Sequence, residues 1–263
     1  MSNFLRPDWP APANVRAICT TRAGGESKAP FDSLNLGSHV QDDPASVRSN
    51  RAILQATIGA RPVFLQQVHG VAVAQLDALT LDGTQADACA TALPGVACTI
   101  MVADCLPVLF TNRAGTQVAA AHAGWRGLVA GVLEQTYQCF MPKIHINSAQ
   151  AAPKNIANDI IAWLGPCIGP RAFEVGAQVH AAFVAARAQD AEHFTLQRDG
   201  KYLANLSALA KSRLLALGVS QIYGNDGSDA WCTVANASRF FSHRRDAARL
   251  GSTGRMAACI WLE

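Results

Sequence analysis

The chain alternates short apolar runs with stretches rich in glycine, proline and polar residues. Runs of β-branched and apolar residues predict strands, whereas apolar residues three or four positions apart predict helices. These patterns predict strands over 15–21, 61–69, 71–76, 96–111, 117–121, 156–164, 219–223 and 256–262. They predict helices over 46–58, 128–137, 175–188 and 203–217. Because strands and helices alternate irregularly, we predict an α/β fold with mixed sheets rather than a regular doubly wound one.

Two turn signals interrupt these predicted elements. The longest apolar run, 96–111, contains Asp104-Cys-Leu-Pro107, and proline cannot donate a hydrogen bond in a central strand. A strand ending at His122 is followed by Ala-Gly-Trp-Arg-Gly and then by the helical pattern of 128–137. That order predicts a tight turn from strand to helix. We also expect the polar, alanine-rich segment 147–158 to lie on the surface.

Size and composition indicate one folded domain, which we place at 1–263. The 263 residues are 50% apolar and 16% charged, enough for a large core without disulfides. The net charge of +3 is too small to indicate a nucleic-acid or membrane partner. Apolar runs stay shorter than the roughly 20 residues of a membrane span, and the start resembles no secretory signal. We therefore expect a cytoplasmic protein, a monomer or weak dimer, that binds a small molecule.

Three distant residues suggest a metal site. His69, Cys105 and His122 each lie where a predicted strand ends, and two imidazoles with one thiolate are the ligand set of a catalytic zinc with one open position. Their separations of 36 and 17 residues match no local zinc motif. The alternative interpretation is a buried cysteine and two hydrogen-bonded histidines, so the residues alone leave this hypothesis open.

The remaining cysteines suggest no second site of this kind. The chain has eight cysteines and no Cys-x-x-Cys pair, which argues against zinc fingers and thioredoxin-like sites. We expect most of them to be reduced thiols, because a chain of this size folds without disulfides.

Arg126 and two carboxylates are further candidates. A strand that turns into a helix offers free backbone N–H groups, and Arg126 adds a charge that can bind phosphate; the alternative is an exposed arginine on an ordinary helix. Asp104 can act as a general base or orient the neighbouring Cys105, or it can be a simple turn residue. Asp87 is a candidate on the same terms. We expect the basic run 238–246, with Arg255 beyond it, to form a solvated surface.

Several uncommon strings follow one another along the chain: Thr20-Thr-Arg22-Ala-Gly-Gly, Ser33-Leu-Asn35-Leu-Gly, Gln66-Gln-Val-His69-Gly, Ala86-Asp-Ala, Ala103-Asp-Cys105-Leu-Pro, Ala121-His122-Ala-Gly-Trp-Arg-Gly127, Gly165-Pro-Cys-Ile-Gly-Pro, Phe173-Glu-Val-Gly, Phe241-Ser-His-Arg-Arg-Asp and Thr253-Gly-Arg255. Together they resemble the YfiH-like family, also called the laccase-domain or polyphenol oxidase family. The resemblance runs from about Thr20 to Glu263.

The resemblance implies a fold, a metal and an activity. It implies a single α/β domain of stacked mixed sheets flanked by helices, in α/β/β/α layers. It implies Zn²⁺ held by His69, Cys105 and His122, with Cu²⁺ possible at the same site. The activities it implies are phosphorolysis of the purine nucleosides adenosine, inosine and methylthioadenosine, and deamination of adenosine.

For these reactions we expect Cys105, Asp104 and Arg126 to be catalytic. Arg126 and the helix N-terminus, together with Arg22 and Asn35, are expected to hold phosphate or ribose.

Three alternatives remain from the sequence. The first is a cysteine-type amide hydrolase with Cys105 as nucleophile and His122 as base, a chemistry that fits the peptidoglycan-precursor editing described for some family members. The second is a metal- or ligand-binding module without catalysis. The third is polyphenol oxidation by copper at the same three ligands. A multicopper laccase mechanism is rejected, because the seven histidines form no His-x-His pair.

Overall fold

The computed structural model describes residues 4–141 and 156–263, so most of the predicted insertion at 147–158 lies outside the described residues. The strands are Phe4–Leu5 (β1), Val15–Thr20 (β2), Arg61–Phe64 (β3), Val73–Gln75 (β4), Ala88–Thr91 (β5), Val96–Val102 (β6), Leu106–Asn112 (β7), Val118–Ala123 (β8), Ile160–Leu164 (β9), Glu174–Val175 (β10), Phe194–Leu196 (β11), Tyr202–Ala204 (β12), Gln221–Gly224 (β13) and Met256–Leu262 (β14). The α-helices are Pro44–Ile58 (α1), Trp125–Ala130 (α2), Val132–Gln138 (α3), Ala177–Ala186 (α4), Leu206–Ala216 (α5) and His243–Leu250 (α6).

Two mixed sheets form the centre of the fold. Sheet 1 has the order β1-β2-β14-β6-β3, antiparallel except for the parallel pair β3–β6. Sheet 2 has the order β13-β9-β7-β8-β5-β4, with parallel pairs at its two edges. A small antiparallel sheet, β10-β12-β11, lies outside both.

Three apolar clusters reveal the layers. Alternate residues of a strand point to opposite faces, so a sheet that is buried on both sides takes part in two clusters. One cluster lies between the sheets and contains Ile100 of β6, Leu109 of β7 and Ile260 of β14. A second packs the other face of sheet 2 against α2–α5, and a third packs the other face of sheet 1 against α1. The α/β/β/α order implied by the family resemblance is therefore observed.

The predicted break in the run 96–111 turns out to be a change of sheet. Strand β6 pairs within sheet 1, whereas β7 pairs within sheet 2, and residues 103–105 carry the chain across. Asp104 lies at the crossing with a φ of 93°, in the left-handed region that residues other than glycine rarely adopt. The crossing puts Cys105 between the two sheets, at one end of the sandwich.

Several predicted strands are too long. The predicted strand 61–69 ends at Phe64, and the loop that follows turns at His69, which has a φ of 62°. The predicted strand 71–76 shortens to β4, and the strand predicted from 156 begins at Ile160 after a short 3₁₀ helix. The prediction also missed β5 and the small sheet, whose strands have two to four residues.

The helices also differ from their predicted bounds. The helix predicted over 128–137 is two short helices, separated by Gly131 with a φ of 100°. The predicted start at residue 203 is wrong, because Leu203 belongs to β12 and the Asn205 side chain caps α5. Helix α1 begins at Pro44, two residues before its predicted start, since the Asp43 carboxylate accepts hydrogen bonds from the N–H groups of Ala45 and Ser46.

The basic run near the C-terminus is not a solvated surface throughout. It contains α6, which the apolar pattern did not predict because most of its residues are polar or charged. The Arg245 side chain is only 18% exposed and donates hydrogen bonds to Thr233 O, Phe240 O and the Asp246 carboxylate. The expectation of a solvated run is therefore wrong for Arg245, which ties α6 to the loop before it.

No helix within residues 4–141 and 156–263 is long and apolar enough to cross a membrane.

Candidate metal centre

A large cavity opens at the end of the sandwich where the chain crosses between the sheets. Its volume is ≈ 1010 Å³, and both sheets and several loops contribute to its wall. The wall combines apolar, basic and metal-ligating side chains, among them Phe64, Met101, Trp125, Ile168, Phe173, Arg51, Arg126, Arg244, Arg255, His39, His69, Cys105 and His122. A cavity that is mostly apolar with a few convergent polar groups is the usual form of a small-molecule site.

The side chains of His69, Cys105 and His122 meet at this cavity. One ligand atom from each residue lies within 4.8 Å of the other two, and Cys105 Sγ is 3.8 Å from His69 Nε2. Two ligands of a tetrahedral zinc lie about 3.5 Å apart, given bonds near 2.3 Å to sulfur and 2.0 Å to nitrogen. The three donors are therefore close enough to share one metal ion, and three protein ligands would leave one tetrahedral position open. Among the described residues this is the one group of three or more such side chains close enough to share an ion.

Asp87 orients His122. Its Oδ1 lies 2.9 Å from His122 Nδ1, and the carboxylate is completely buried. A carboxylate accepts hydrogen bonds only, so this bond places the proton on Nδ1 and leaves Nε2 free for a metal. This geometry supports the hypothesis that Asp87 orients a metal ligand by a hydrogen bond to the nitrogen that does not bind the metal.

The same carboxylate holds the loop that carries His69. Asp87 Oδ1 accepts a hydrogen bond from the His69 N–H, and Oδ2 accepts from the N–H groups of Val68 and Gly70, at 2.7–3.0 Å. Three backbone bonds to one carboxylate stabilise the left-handed conformation of His69, which is otherwise costly. Asp87 thus sets the position of two of the three candidate ligands.

Cys105 and His122 form a strongly polarised pair. Burial raises the pKa of the Cys105 thiol, but the neighbouring imidazoles of His122 and His69 outweigh this effect and lower the pKa to about 6. Burial lowers the pKa of His122, but the Cys105 thiolate and Asp87 raise it to about 9. Near neutral pH the metal-free site therefore contains a thiolate, which is the form of cysteine that binds metals.

Gly124 leaves room for the candidate ligands. A Cβ atom at this position would lie 2.9 Å from Cys105 Sγ and 3.0 Å from His69 Cδ2, both closer than normal contact. Its φ of −65° is allowed for any residue, so space rather than backbone conformation requires glycine here.

We expect Gly124→Ala to weaken metal binding by about tenfold or more, because the methyl group displaces two ligands of the site. Gly59→Ala is the matched control, since Gly59 has a φ of 66° and nothing within 4 Å of its Cβ position. The control should lose about 1 kcal/mol of stability and keep its metal affinity. Metal affinity measured by competition with a chelator, together with thermal unfolding, separates the two effects. Wild-type affinity in Gly124→Ala would contradict this role for the glycine.

Asp104 lies in the cavity wall, but both of its carboxylate oxygens accept hydrogen bonds from the protein. Oδ1 is 2.5 Å from Thr233 Oγ1, and Oδ2 is 2.6 Å from the N–H of Arg244. The Ile168 N–H also donates to the backbone oxygen of Asp104. These bonds do not support the expectation of a catalytic base. They support the alternative that Asp104 positions Cys105, by joining the crossing segment to α6 and to the loop at Ile168.

Arg22 is not brought to the cavity. Its guanidinium donates to the backbone oxygens of Asp32 and Ala237 and to the Asp32 carboxylate, in a separate and smaller pocket. The structure therefore does not bring Arg22 together with the other expected substrate residues, and its donors join its own loop to the loops at Asp32 and Ala237.

Asn35 is also not part of the wall. The residue is fully buried, and its Oδ1 accepts hydrogen bonds from the N–H groups of Gly37 and Arg255, while its Nδ2 donates to Gly37 O and Asp42. Asn35 therefore contacts Arg255, which does line the cavity, and is not itself brought to the wall.

Arg126 lines the cavity as expected, although the helix N-terminus beside it gains no support as an anion site. Helix α2 has only six residues, and Gly124 at its N-terminus serves the metal ligands. The Arg126 guanidinium lies 4.5 Å above the Trp125 ring and makes no hydrogen bond to a described residue.

The wall also contains five basic residues to which sequence reasoning gave no place in a site: His39, Arg51, His243, Arg244 and Arg255. Arg255 stands in the string Thr-Gly-Arg, and it was assigned to the basic surface near the C-terminus. The sequence does contain a signal for the position of Arg255, because a wholly buried strand, β14, begins at the next residue. A charged residue directly before such a strand is expected to lie at the end of the sheet.

The fold and the site together define an α/β/β/α protein with a candidate metal centre in a basic cavity. Residues 16–263 match the family described as multi-copper polyphenol oxidoreductase laccase. The chain therefore belongs to this laccase-like, YfiH-type family, as its sequence motifs predicted.

Two relatives and one solved structure match this chain over its full length. The purine nucleoside phosphorylase PA4543 of Pseudomonas aeruginosa is 49% identical over 264 residues, which cover 100% of both chains. The purine nucleoside phosphorylase YfiH of Escherichia coli is also 49% identical, with the same coverage. The crystal structure of the Neisseria meningitidis protein NMB0706 matches with a TM-score of 0.88 and 46% identity, covering 100% of each chain. The predicted fold class is thereby confirmed.

Proposed function

We propose that the protein is a zinc-dependent purine nucleoside phosphorylase acting on adenosine, inosine and methylthioadenosine. In this reaction the bond between the purine nitrogen and the sugar C1′ breaks, and a phosphate oxygen forms a new bond to C1′. The products are a sugar 1-phosphate and the purine, which takes up a proton at the nitrogen. The observation that carries the proposal is the convergence of His69, Cys105 and His122 on a basic cavity, in a chain about half identical to two proteins named purine nucleoside phosphorylase.

Each residue of the site has a distinct part in this proposal. His69, Cys105 and His122 hold the zinc, which when bound supplies a Lewis acid at the fourth position. Asp87 holds the His122 tautomer. Arg126, whose guanidinium has no hydrogen-bond partner among the described residues, offers its donors to a hydroxyl group of the ribose.

The apolar part of the wall suits a purine base. Trp125, Ile168 and Phe173 line the cavity beside the ligands, and flat aromatic and aliphatic surfaces bind planar rings by stacking and burial. We extend the proposal to deamination of adenosine, in which water replaces the amino group at C6 and ammonia leaves.

Zinc is proposed for its preference for tetrahedral nitrogen and sulfur ligands. Cu²⁺ binds most sites of this kind more tightly, so copper bound at the same three residues provides a route to polyphenol oxidation. The family description favours copper, whereas the names of the two relatives favour the nucleoside reaction.

A second candidate is amide hydrolysis with Cys105 as nucleophile. It is favoured by the low pKa of Cys105 beside His122, since a thiolate paired with an imidazolium is the usual form of an active cysteine. This candidate needs a metal-free site, whereas the phosphorylase needs a metal at the same atoms.

One experiment tests both candidates. The protein is purified without added metal, its metal content is measured, and it is incubated with inosine or adenosine in the presence and absence of phosphate. We expect about one zinc per chain and formation of hypoxanthine or adenine that requires phosphate. Removal of the metal with a chelator should abolish the reaction, and added zinc should restore it.

Two other outcomes would contradict the phosphorylase function or favour the second candidate. A metal-loaded protein that releases no base from either nucleoside would refute the phosphorylase function. A metal-free preparation that cleaves amides, and that iodoacetamide inactivates more slowly as the pH falls through about 6, would favour the cysteine hydrolase.

A further inference from the structure

Positive charge dominates the polar part of the cavity wall. Among the described residues, four arginines and two carboxylates line it; the arginines are Arg51, Arg126, Arg244 and Arg255. Both carboxylates are engaged: Asp82 pairs with Arg51, and Asp104 accepts the hydrogen bonds described above. The cavity is therefore suited to a substrate group with negative charge.

Arg255 differs from the other arginines in how its donors are used. Its Nη1 donates to the backbone oxygens of Thr253 and Gly254, at 2.9 and 3.2 Å. Its Nε and Nη2 donate to no described residue. These two nitrogens form the edge of the guanidinium that binds two oxygens of one carboxylate or phosphate at once. Nη1 is thus fixed by the protein, whereas the edge formed by Nε and Nη2 can bind a ligand.

The backbone of Arg255 is held as firmly as its side chain. The Arg255 N–H donates to Asn35 Oδ1, and the Arg255 oxygen accepts from the N–H of Leu36. A Cβ atom at Gly37 would lie 2.7 Å from Arg255 Cγ, so the glycine allows the side chain to pass close to the 35–37 loop. A donor fixed in advance loses little conformational entropy when it binds a ligand.

The charge of Arg255 is also poorly solvated and close to the metal ligands. Burial lowers the pKa of Arg255, and the nearby Cys105 and Asp104 oppose that effect. Burial, Arg255 and Arg51 each lower the pKa of His39, which places these three basic side chains in one neighbourhood.

We propose that Arg255 binds the phosphate co-substrate through Nε and Nη2, with Arg51 adding a second positive charge. This inference rests on the proposed function and assigns its phosphate subsite. Arg51 itself is engaged at all three nitrogens, with Leu36 O, Asp82 and Ser38 as partners. It therefore contributes charge rather than a free pair of donors.

The two other arginines of the wall are less suited to this role. Arg244 donates from both terminal nitrogens to the backbone oxygens of Ala172 and Glu174. Arg126 is exposed and lies over the Trp125 ring, and it makes no hydrogen bond to any residue of 4–141 or 156–263. An exposed group gains less from binding an anion than a partly buried one, because water competes for its donors.

Calorimetric titration of the metal-loaded protein with inorganic phosphate, without nucleoside, tests the assignment directly. We expect Arg255→Lys to weaken phosphate binding by about tenfold or more, because lysine keeps the charge but cannot bind two oxygens in a plane. Arg255→Gln should weaken it further. The control Arg48→Gln removes an exposed charge from the same helix as Arg51, outside the cavity wall, and should change binding less than about twofold. Metal content confirms that each variant is folded at the site.

Kinetics separate this inference from the proposed function. In Arg255→Lys we expect the KM for phosphate to rise by about tenfold or more, with a smaller change in the KM for inosine. Unchanged phosphate binding and unchanged KM for phosphate in both Arg255 variants would overturn the assignment, even if phosphorolysis is observed. Loss of phosphate binding in these variants would support it, even if the wild-type protein turned over no nucleoside.

Discussion

Replacing Cys105 with serine is expected to remove the bound metal and to reduce phosphorolysis by about a thousandfold or more. The thiolate is the one anionic ligand of the three, and the neighbouring imidazoles hold its pKa near 6, so it is charged at neutral pH. A serine hydroxyl stays protonated under the same conditions and is a weak zinc ligand. Metal analysis and the rate of hypoxanthine release from inosine measure the two losses.

Cys139→Ser is the matched control. Cys105 and Cys139 are the two partly exposed cysteines of the chain, and the six others are buried. Cys139 follows α3 and is not part of the cavity wall. The control should therefore keep both metal and activity. If Cys105→Ser retains its full metal content, the ligand assignment is wrong, and if it retains activity after losing the metal, the metal is not needed for the reaction.

The local sequence pattern predicts where the apolar run 96–111 is interrupted, but not that the chain changes from one sheet to the other there. The turn at Asp104 divides the apolar run as predicted, although Pro107 lies within β7 and not in the break. The assignment of the two halves to different sheets depends on pairing with distant strands. Strand β6 pairs with β14, more than 150 residues later, and β7 pairs with β8 and β9. No periodicity within a short window contains that information.

The candidate site likewise contains residues that sequence motifs predict and residues that only contacts in the folded structure identify. His69, Cys105 and His122 were assigned through the family resemblance, because their spacing matches no local motif. Arg22 belongs to the same kind of string, yet its guanidinium donates to Asp32 and to Ala237 O outside the cavity. Arg255 belongs to a run that predicts a charged surface, whereas its backbone bonds to Asn35 and Leu36, across the fold, hold it at the cavity wall. A residue type indicates what chemistry is available, whereas its hydrogen-bond partners decide whether that chemistry faces a ligand.

Replacing Asp87 with asparagine is expected to weaken metal binding by about ten- to a hundredfold without removing any ligand. The carboxylate accepts four hydrogen bonds, from the N–H groups of Val68, His69 and Gly70 and from His122 Nδ1. An asparagine side chain has one oxygen and one NH₂ group, so at least one N–H would face another donor. Both histidine ligands would then lose their orientation. Affinity is measured by chelator competition, and Asp77→Asn, an exposed aspartate that accepts hydrogen bonds in its own turn, is the control.

The pH dependence of the free energy of unfolding distinguishes the contribution of the Asp87 charge from the contribution of its packing. Burial raises the pKa of Asp87, but its hydrogen bond to His122 and the backbone bonds outweigh this effect, so the pKa lies below its ordinary value of 3.8. A lowered pKa in the folded state means that the carboxylate stabilises the fold above pH 4 and that this contribution is lost as the pH falls through the lowered value. For metal-free protein we therefore expect wild type to exceed Asp87→Asn by about 2–4 kcal/mol in free energy of unfolding at pH 7. The difference should shrink below pH 4, where the wild-type carboxyl becomes protonated, and a difference independent of pH would assign the effect to packing alone.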